Sequence, residues 1–130
     1  MSKQVVREYM TTHPHWIDHQ ASMKSAMELM TAHQIRHLPV KKGNRVVGLI
    51  SDRDMKLFLG IPTMNPEHLH VSNISSGEPY IVTPETPLSE VAKEMAAKHH
   101  ESALVIQGDD LVGIFTTMDA CRALADLAGD

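Results

Sequence analysis

With 130 residues, 42% of them apolar and 22% charged, the chain has the composition of a soluble globular protein and the length of one domain or two very small ones. Its formal net charge of −4 argues against a nucleic-acid binder, which would show a basic face. No apolar run reaches membrane-spanning length, Met1–Met10 lacks the apolar stretch of a secretory signal, and the lone Cys121 excludes an intrachain disulfide and cysteine-based zinc patterns. A cytoplasmic protein with no membrane or nucleic-acid partner is expected.

Read in chain order, a strand starts at Trp16-Ile17, after Pro14. A helix follows, because Met23, Ala26, Met27 and Met30 recur at i, i+3, i+4 and i+7; Ala21-Ser22 offers it only a weak cap. Leu38–Val40 and Val46–Ser51 flank a Lys42-Gly43-Asn44 turn as a hairpin, and a closing helix runs from Asp52 to Leu59. Residues 61–70, with Pro62 and Pro66, read as a linker. The order then recurs. Tyr80-Ile81-Val82 starts a strand, and Leu88, Val91, Ala92 and Met95 stripe a helix with Thr86 as expected N-cap and Pro87 in its first turn. Ala103–Ile106 and Leu111–Thr116 flank Gly108-Asp109-Asp110, and Thr117–Leu127 closes the chain.

The recurrence has a fixed offset: a shift of 65 positions superposes the halves without a gap and leaves ten identical pairs, among them Val6/Val71, Pro14/Pro79, Met30/Met95, Gly48/Gly113 and Asp54/Asp119. Ordinary composition would give about four. Identity alone is suggestive; the repeated order of element types decides for an internal repeat. Two units of about 60 residues, each too small to be comfortably stable alone, are expected to share a core. The expected division is 1–60, linker 61–70, and 71–130.

After the last strand of each half stand Gly48-Leu-Ile-Ser51-Asp-Arg-Asp54 and Gly113-Ile-Phe-Thr116-Thr-Met-Asp119. The common form is Gly, two apolar residues, Ser/Thr, any two residues, Asp. A helix start presents unbonded N–H groups and a positive dipole end, which suit a phosphate, and an aspartate one turn in can accept from a ribose diol. The same spacing is also a capping box that needs no ligand. Both readings stand at this level.

With the Arg36-His37-Leu38-Pro39-Val40 strand and the glycine turn, this ending resembles the cystathionine-β-synthase (CBS) repeat family over nearly the whole chain. The resemblance implies an α+β fold of two tandem β-α-β-β-α repeats, packed sheet to sheet as one pseudo-twofold module with two clefts between them. It implies adenine-nucleotide ligands (AMP, ADP, ATP or S-adenosylmethionine-like compounds) and no obligatory cofactor. By the same resemblance Asp54 and Asp119 hold ribose hydroxyls, and Ser51 and Thr116 lie near ribose or phosphate. Trp16, Ile17, His37, Leu38 and Pro39 enclose the base in the first half, and Ile81, Val82, Ser102, Ala103 and Leu104 in the second.

The halves differ in charge. Arg36, His37 and Arg53 give the first half three potential phosphate contacts, where the second has Glu101, Ser102 and Met118; Leu104 stands opposite Pro39. The nine histidines lack closed-site spacing and read as scattered surface residues, and the methionines mostly fill the helical core stripes. Neither half shows a nucleophile–base pair, so a ligand-sensing module that signals to an effector protein is expected, not an enzyme. A structural dimerisation module with empty clefts is the alternative. A homodimer is expected in either case, through apolar helix faces around Met23/Met27 and Leu88/Val91.

Overall fold

In the computed structural model, which describes residues 4–75 and 78–129, the chain opens with a 3-10 turn (Val6–Glu8) and a short strand β1 (Thr11–Thr12). The first repeat then supplies β2 (Ile17–Asp18), α1 (Met23–His33), β3 (His37–Lys42), β4 (Arg45–Ser51) and α2 (Asp52–Leu59). A one-turn helix α3 (Val71–Ile74) precedes the second repeat: β5 (Ile81–Val82), α4 (Leu88–Lys98), β6 (Ser102–Gln107), β7 (Asp110–Thr116) and α5 (Thr117–Ala128). The strand–helix–strand–strand–helix order expected from sequence is present twice.

The elements assemble into two compact units whose limits are not those of the repeats. One unit comprises residues 15–79; the other joins residues 80–129 to the N-terminal segment up to Pro14. The crossing rests on two valines at repeat-related positions. Val6, in the N-terminal turn, is fully buried in the core that holds the second repeat's Val82, Leu88, Val91, Met95, Ala103, Val105, Phe115 and Ala123. Val71, in α3, is fully buried with the first repeat's Ile17, Met23, Ala26, Met30, Leu38, Val40, Ile50 and Met55. Each repeat's core is thus completed by the short segment ahead of the other repeat, and apolar burial is what holds it there.

In the unit of residues 15–79 the sheet runs β2-β3-β4, with β2 parallel to β3 and β3 antiparallel to β4. In the other unit the order is β1-β7-β6-β5, with β5 parallel to β6 and β1 antiparallel to β7. Cross-strand partners exchange volume between the repeats: Leu38 faces Ile50, and at the equivalent place Ala103 faces Phe115. A smaller side chain opposite a larger one keeps the core filled. Both hairpins turn in two residues, and Gly43 and Gly108 hold φ of 61° and 63° at the first, where a type II′ turn needs glycine. Both first helices end on a left-handed residue, Gln34 and Its repeat counterpart His99.

Capping differs from expectation. Ser22 caps α1 and accepts from the Ser25 N–H at 3.1 Å. Thr86 does not cap α4; its hydroxyl accepts from the Thr83 N–H at 3.1 Å, which draws it into the preceding turn and leaves Pro87 at the cap without a side-chain bond. The 61–70 segment is anchored rather than loose, since the Met23 and Lys24 N–H groups donate to the Leu69 and Pro66 carbonyls.

Candidate functional site

Each repeat brings its motif together by strand register. In the first, His37 lies directly opposite Ser51, the last residue of β4, and the Asp52 N–H donates to the Arg36 carbonyl at 2.9 Å. In the second, Ser102 lies opposite Thr116, and the Thr117 N–H donates to the Glu101 carbonyl at 3.1 Å. The residue before β3 or β6 and the start of the closing helix are therefore neighbours in both repeats. Parallel pairing sets the first strand beside them: Ile17 against Val40, Ile81 against Leu104 and Val82 against Val105.

The motif glycines make room for a close approach. A Cβ on Gly48 would lie 3.2 Å from the Ser75 hydroxyl, and one on Gly113 would overlap Met10. Met10 and Ser75 are repeat equivalents, so in each unit the same position of the leading segment packs on the motif glycine.

Both aspartates close a capping box. Ser51 Oγ accepts from the Asp54 N–H at 3.1 Å while Asp54 Oδ2 accepts from the Ser51 N–H at 3.0 Å. Thr116 Oγ1 accepts from the Asp119 N–H at 3.4 Å while Asp119 Oδ2 accepts from the Thr116 N–H at 3.0 Å. Ser51 and Asp54 are half-buried, whereas Asp119 is only 2% exposed.

Asp119 has further donors that its motif does not reveal. The Thr11 hydroxyl lies 3.1 Å from Oδ1 and 3.3 Å from Oδ2, and Arg122 Nη1 donates to Oδ1 at 3.0 Å. Arg122 sits three residues along the helix, a spacing at which side chains meet and which sequence could have flagged. Thr11 is 108 residues away; its only sequence signal is that another hydroxyl, Ser76, stands at the equivalent repeat position. Across the strand from Thr116, Ser102 Oγ is buried with no hydrogen-bond partner among the described residues, an uncommon state for a buried hydroxyl.

The remaining expected site residues fall into two groups. Ile17, Leu38, Pro39, Val82, Ala103 and Leu104 are buried, so what they offer a ligand is chiefly main chain. Trp16, at 46% exposure, Ile81, Arg36 and Arg53 lie at the surface, and Lys41 Nζ sits 4.3 Å above the Trp16 ring. Rings also stack at related places, His15 on His33 and Tyr80 on His100; partial burial pushes the Tyr80 pKa up. Among the described residues no three His, Cys, Asp or Glu side chains gather to hold a metal ion. No helix among them is long and apolar enough to cross a membrane.

One face expected for dimer contact is used otherwise. Met23, Leu88 and Val91 lie in the cores of their own units, because the i, i+3, i+4 stripe that marks them is the inward stripe. The closing helices instead carry exposed apolar side chains, among them Leu57 and Leu59 of α2, and Leu124 and Leu127 of α5. The latter two border an apolar groove of about 430 Å³ with Leu88, Ala92, Phe115 and Ala120.

Twin α+β repeats, each closing its hairpin on a hydroxyl-capped helix with a carboxylate one turn in, define a tandem-repeat module. Residues 6–60 and 71–126 each match the CBS domain model, and the chain belongs to the CBS domain family as a tandem pair. It is similar to an A-adding tRNA nucleotidyltransferase of Geobacter sulfurreducens, at 26% identity over 104 residues and 78% of this chain. It is also similar to an inosine-5′-monophosphate dehydrogenase of Korarchaeum cryptofilum, at 29% over 116 residues and 88% of this chain. It spans only 11% and 22% of the length of these two relatives. Among solved structures it is similar to one described as an acetoin utilization protein (AcuB) from Vibrio cholerae, at 26% identity and a TM-score of 0.87, covering 98% of this chain and 94% of that one. The CBS domain pair of MJ0100, in complex with 5′-methylthioadenosine and S-adenosyl-L-methionine, shares the fold at 21% identity and a TM-score of 0.86, covering 97% and 99%.

Proposed function

We propose that this chain is a regulatory module that binds an adenosyl ligand (AMP, ADP, ATP or an S-adenosylmethionine-like compound) and passes its occupancy to another polypeptide without catalysing a reaction. The observation that carries this reading is the same Gly-x-x-Ser/Thr-x-x-Asp ending at the same strand register in both repeats. It sets helix N–H groups, a hydroxyl and a carboxylate side by side, a combination suited to phosphate and ribose. The buried Ser102 hydroxyl, without a partner among the described residues, adds a polar group opposite Thr116. The MJ0100 pair, of the same fold, holds adenosyl compounds. In the first repeat, exposed Arg36 and Arg53 favour ligands with phosphate, since guanidinium groups bind its oxygens in pairs.

The alternative is an interaction module without ligand, and one observation favours it: both carboxylates already serve as helix caps. Calorimetry separates the two. A carboxylate that accepts from the 2′ and 3′ hydroxyls makes AMP bind several-fold tighter than 2′-deoxy-AMP, because an unmet buried acceptor costs about 1–3 kcal/mol. Asp54→Ala then erases that preference in the first repeat. Indifference of the wild type to AMP, ADP, ATP and S-adenosylmethionine in calorimetry and thermal-shift assays would establish the ligand-free module instead.

A further inference from the structure

A carboxylate offers about four lone-pair positions, and at Asp119 they are already filled. Oδ2 receives the Thr116 N–H at 3.0 Å and the Thr116 hydroxyl at 3.2 Å; Oδ1 receives Arg122 Nη1 at 3.0 Å; the Thr11 hydroxyl reaches both oxygens at 3.1 and 3.3 Å. With the residue 2% exposed, solvent does not compete. The two Thr116 donors belong to the helix cap. The two others come from outside the box, and they differ: the Arg122 side chain is 69% exposed and can swing into water, whereas Thr11 belongs to the strand β1.

A secondary alcohol spanning both oxygens of a carboxylate is the chemistry a ribose hydroxyl would present. We propose that Thr11 is a built-in competitor for the second repeat's ribose position, so that a nucleoside reaches Asp119 only by displacing the Thr11 hydroxyl and loosening β1. The inference rests on the nucleotide-binding reading above.

The consequence is mechanical. β1 is two residues long and pairs only through Thr11↔Ile114 and Thr12↔Gly113. It lies at the edge of its sheet, hydrogen-bonded alongside β7. Besides these pairs, the segment is held by Met10 against Gly113, by the Tyr9 hydroxyl donating to Asp126 and by buried Val6. Loss of the Thr11 bond removes a side-chain tie that β1 itself makes to α5, and the β7 edge becomes available for pairing, a recurrent means of protein recognition. By linkage, whatever holds β1 down weakens the ligand to the same degree.

The test is a residue-resolved NMR titration of the full chain with adenosine, read at the Thr116 and Asp119 amides for the second repeat and at Ser51 and Asp54 for the first. Thr11→Val keeps the shape of the side chain and its β-branch and removes the hydroxyl; Thr11→Ser keeps a hydroxyl. The expected result is tighter adenosine binding at the second repeat in Thr11→Val, by about three- to tenfold, the equivalent of one ordinary hydrogen bond. Thr11→Ser is expected to behave as the wild type. Saturating adenosine should also raise β1 amide exchange in the wild type. Unchanged or weaker binding in Thr11→Val would overturn the competition and make Thr11 a structural or ligand-contacting group. A response at Ser51 and Asp54 with none at Thr116 and Asp119 in any variant would overturn it too, while leaving the nucleotide reading intact. Silence at both repeats in all variants would overturn that reading, and the competition with it.

Discussion

The crossed placement of the two repeat-related valines can be tested by truncating each of them. Val6→Ala and Val71→Ala remove two methyl groups from side chains that are fully buried. Each group contributes about 0.8 kcal/mol of burial, and the space left behind adds roughly 24 cal/mol per Å³ if it does not collapse. The cost is therefore about 2–3 kcal/mol for either variant, enough to lower the thermal midpoint by about 5–10 °C. Urea unfolding gives the magnitude, and native-state amide exchange gives the location. With Val6 seated among Val82, Leu88, Val91 and Phe115, Val6→Ala should increase exchange in β6, β7 and α4. Val71→Ala, among Ile17, Met23, Leu38 and Ile50, should increase it in β3, β4 and α1. If Val6→Ala instead opened β3 and β4, or cost less than about 0.5 kcal/mol, the N-terminal turn would not be part of the second repeat's core.

Gly108→Ala should cost about 1–2 kcal/mol in chemical unfolding, because φ there is 63° while no atom lies within 4 Å of an added Cβ; a neutral substitution would mean the turn relaxes. Lys24 and Glu67 form an exposed pair at 3.0 Å, in which the hydrogen bond to Lys24 holds the Glu67 carboxyl below its ordinary 4.5. A depressed carboxyl contributes stability that is present above its unfolded value and lost as pH falls through its folded one, so Glu67→Gln should flatten the acid side of the stability profile below about pH 4.5, by a small amount for so exposed a pair. A profile identical to the wild type's would refute the coupling. We expect the wild type to be a homodimer in light scattering and Leu124→Glu, which places a charge where a 68%-exposed leucine borders the apolar groove, to shift it toward monomer; a monomeric wild type at micromolar concentration would refute the dimer.

Much of this protein is legible in one dimension because its decisive signals are local. Helical stripes such as Met23, Ala26, Met27 and Met30, the glycine turns, and the Gly-x-x-Ser/Thr-x-x-Asp endings all lie within a few residues, and their recurrence at one offset defines the repeat and its family. The Ser51–Asp54 and Thr116–Asp119 boxes were readable for the same reason: donor and acceptor sit one helical turn apart. Capping at Thr86 was not, since its hydroxyl had a competing partner three residues upstream, in Thr83. Nor was the surplus apolar face, because one stripe cannot both fill a core and cover a partner; which leucines remain on α2 and α5 depends on what else packs there. The tertiary structure alone decided which core each short leading segment completes, and that Thr11 reaches Asp119 across 108 positions. Periodicity carries information over one or two turns of chain, whereas a contact between distant segments is selected by the burial and hydrogen bonding of the whole unit.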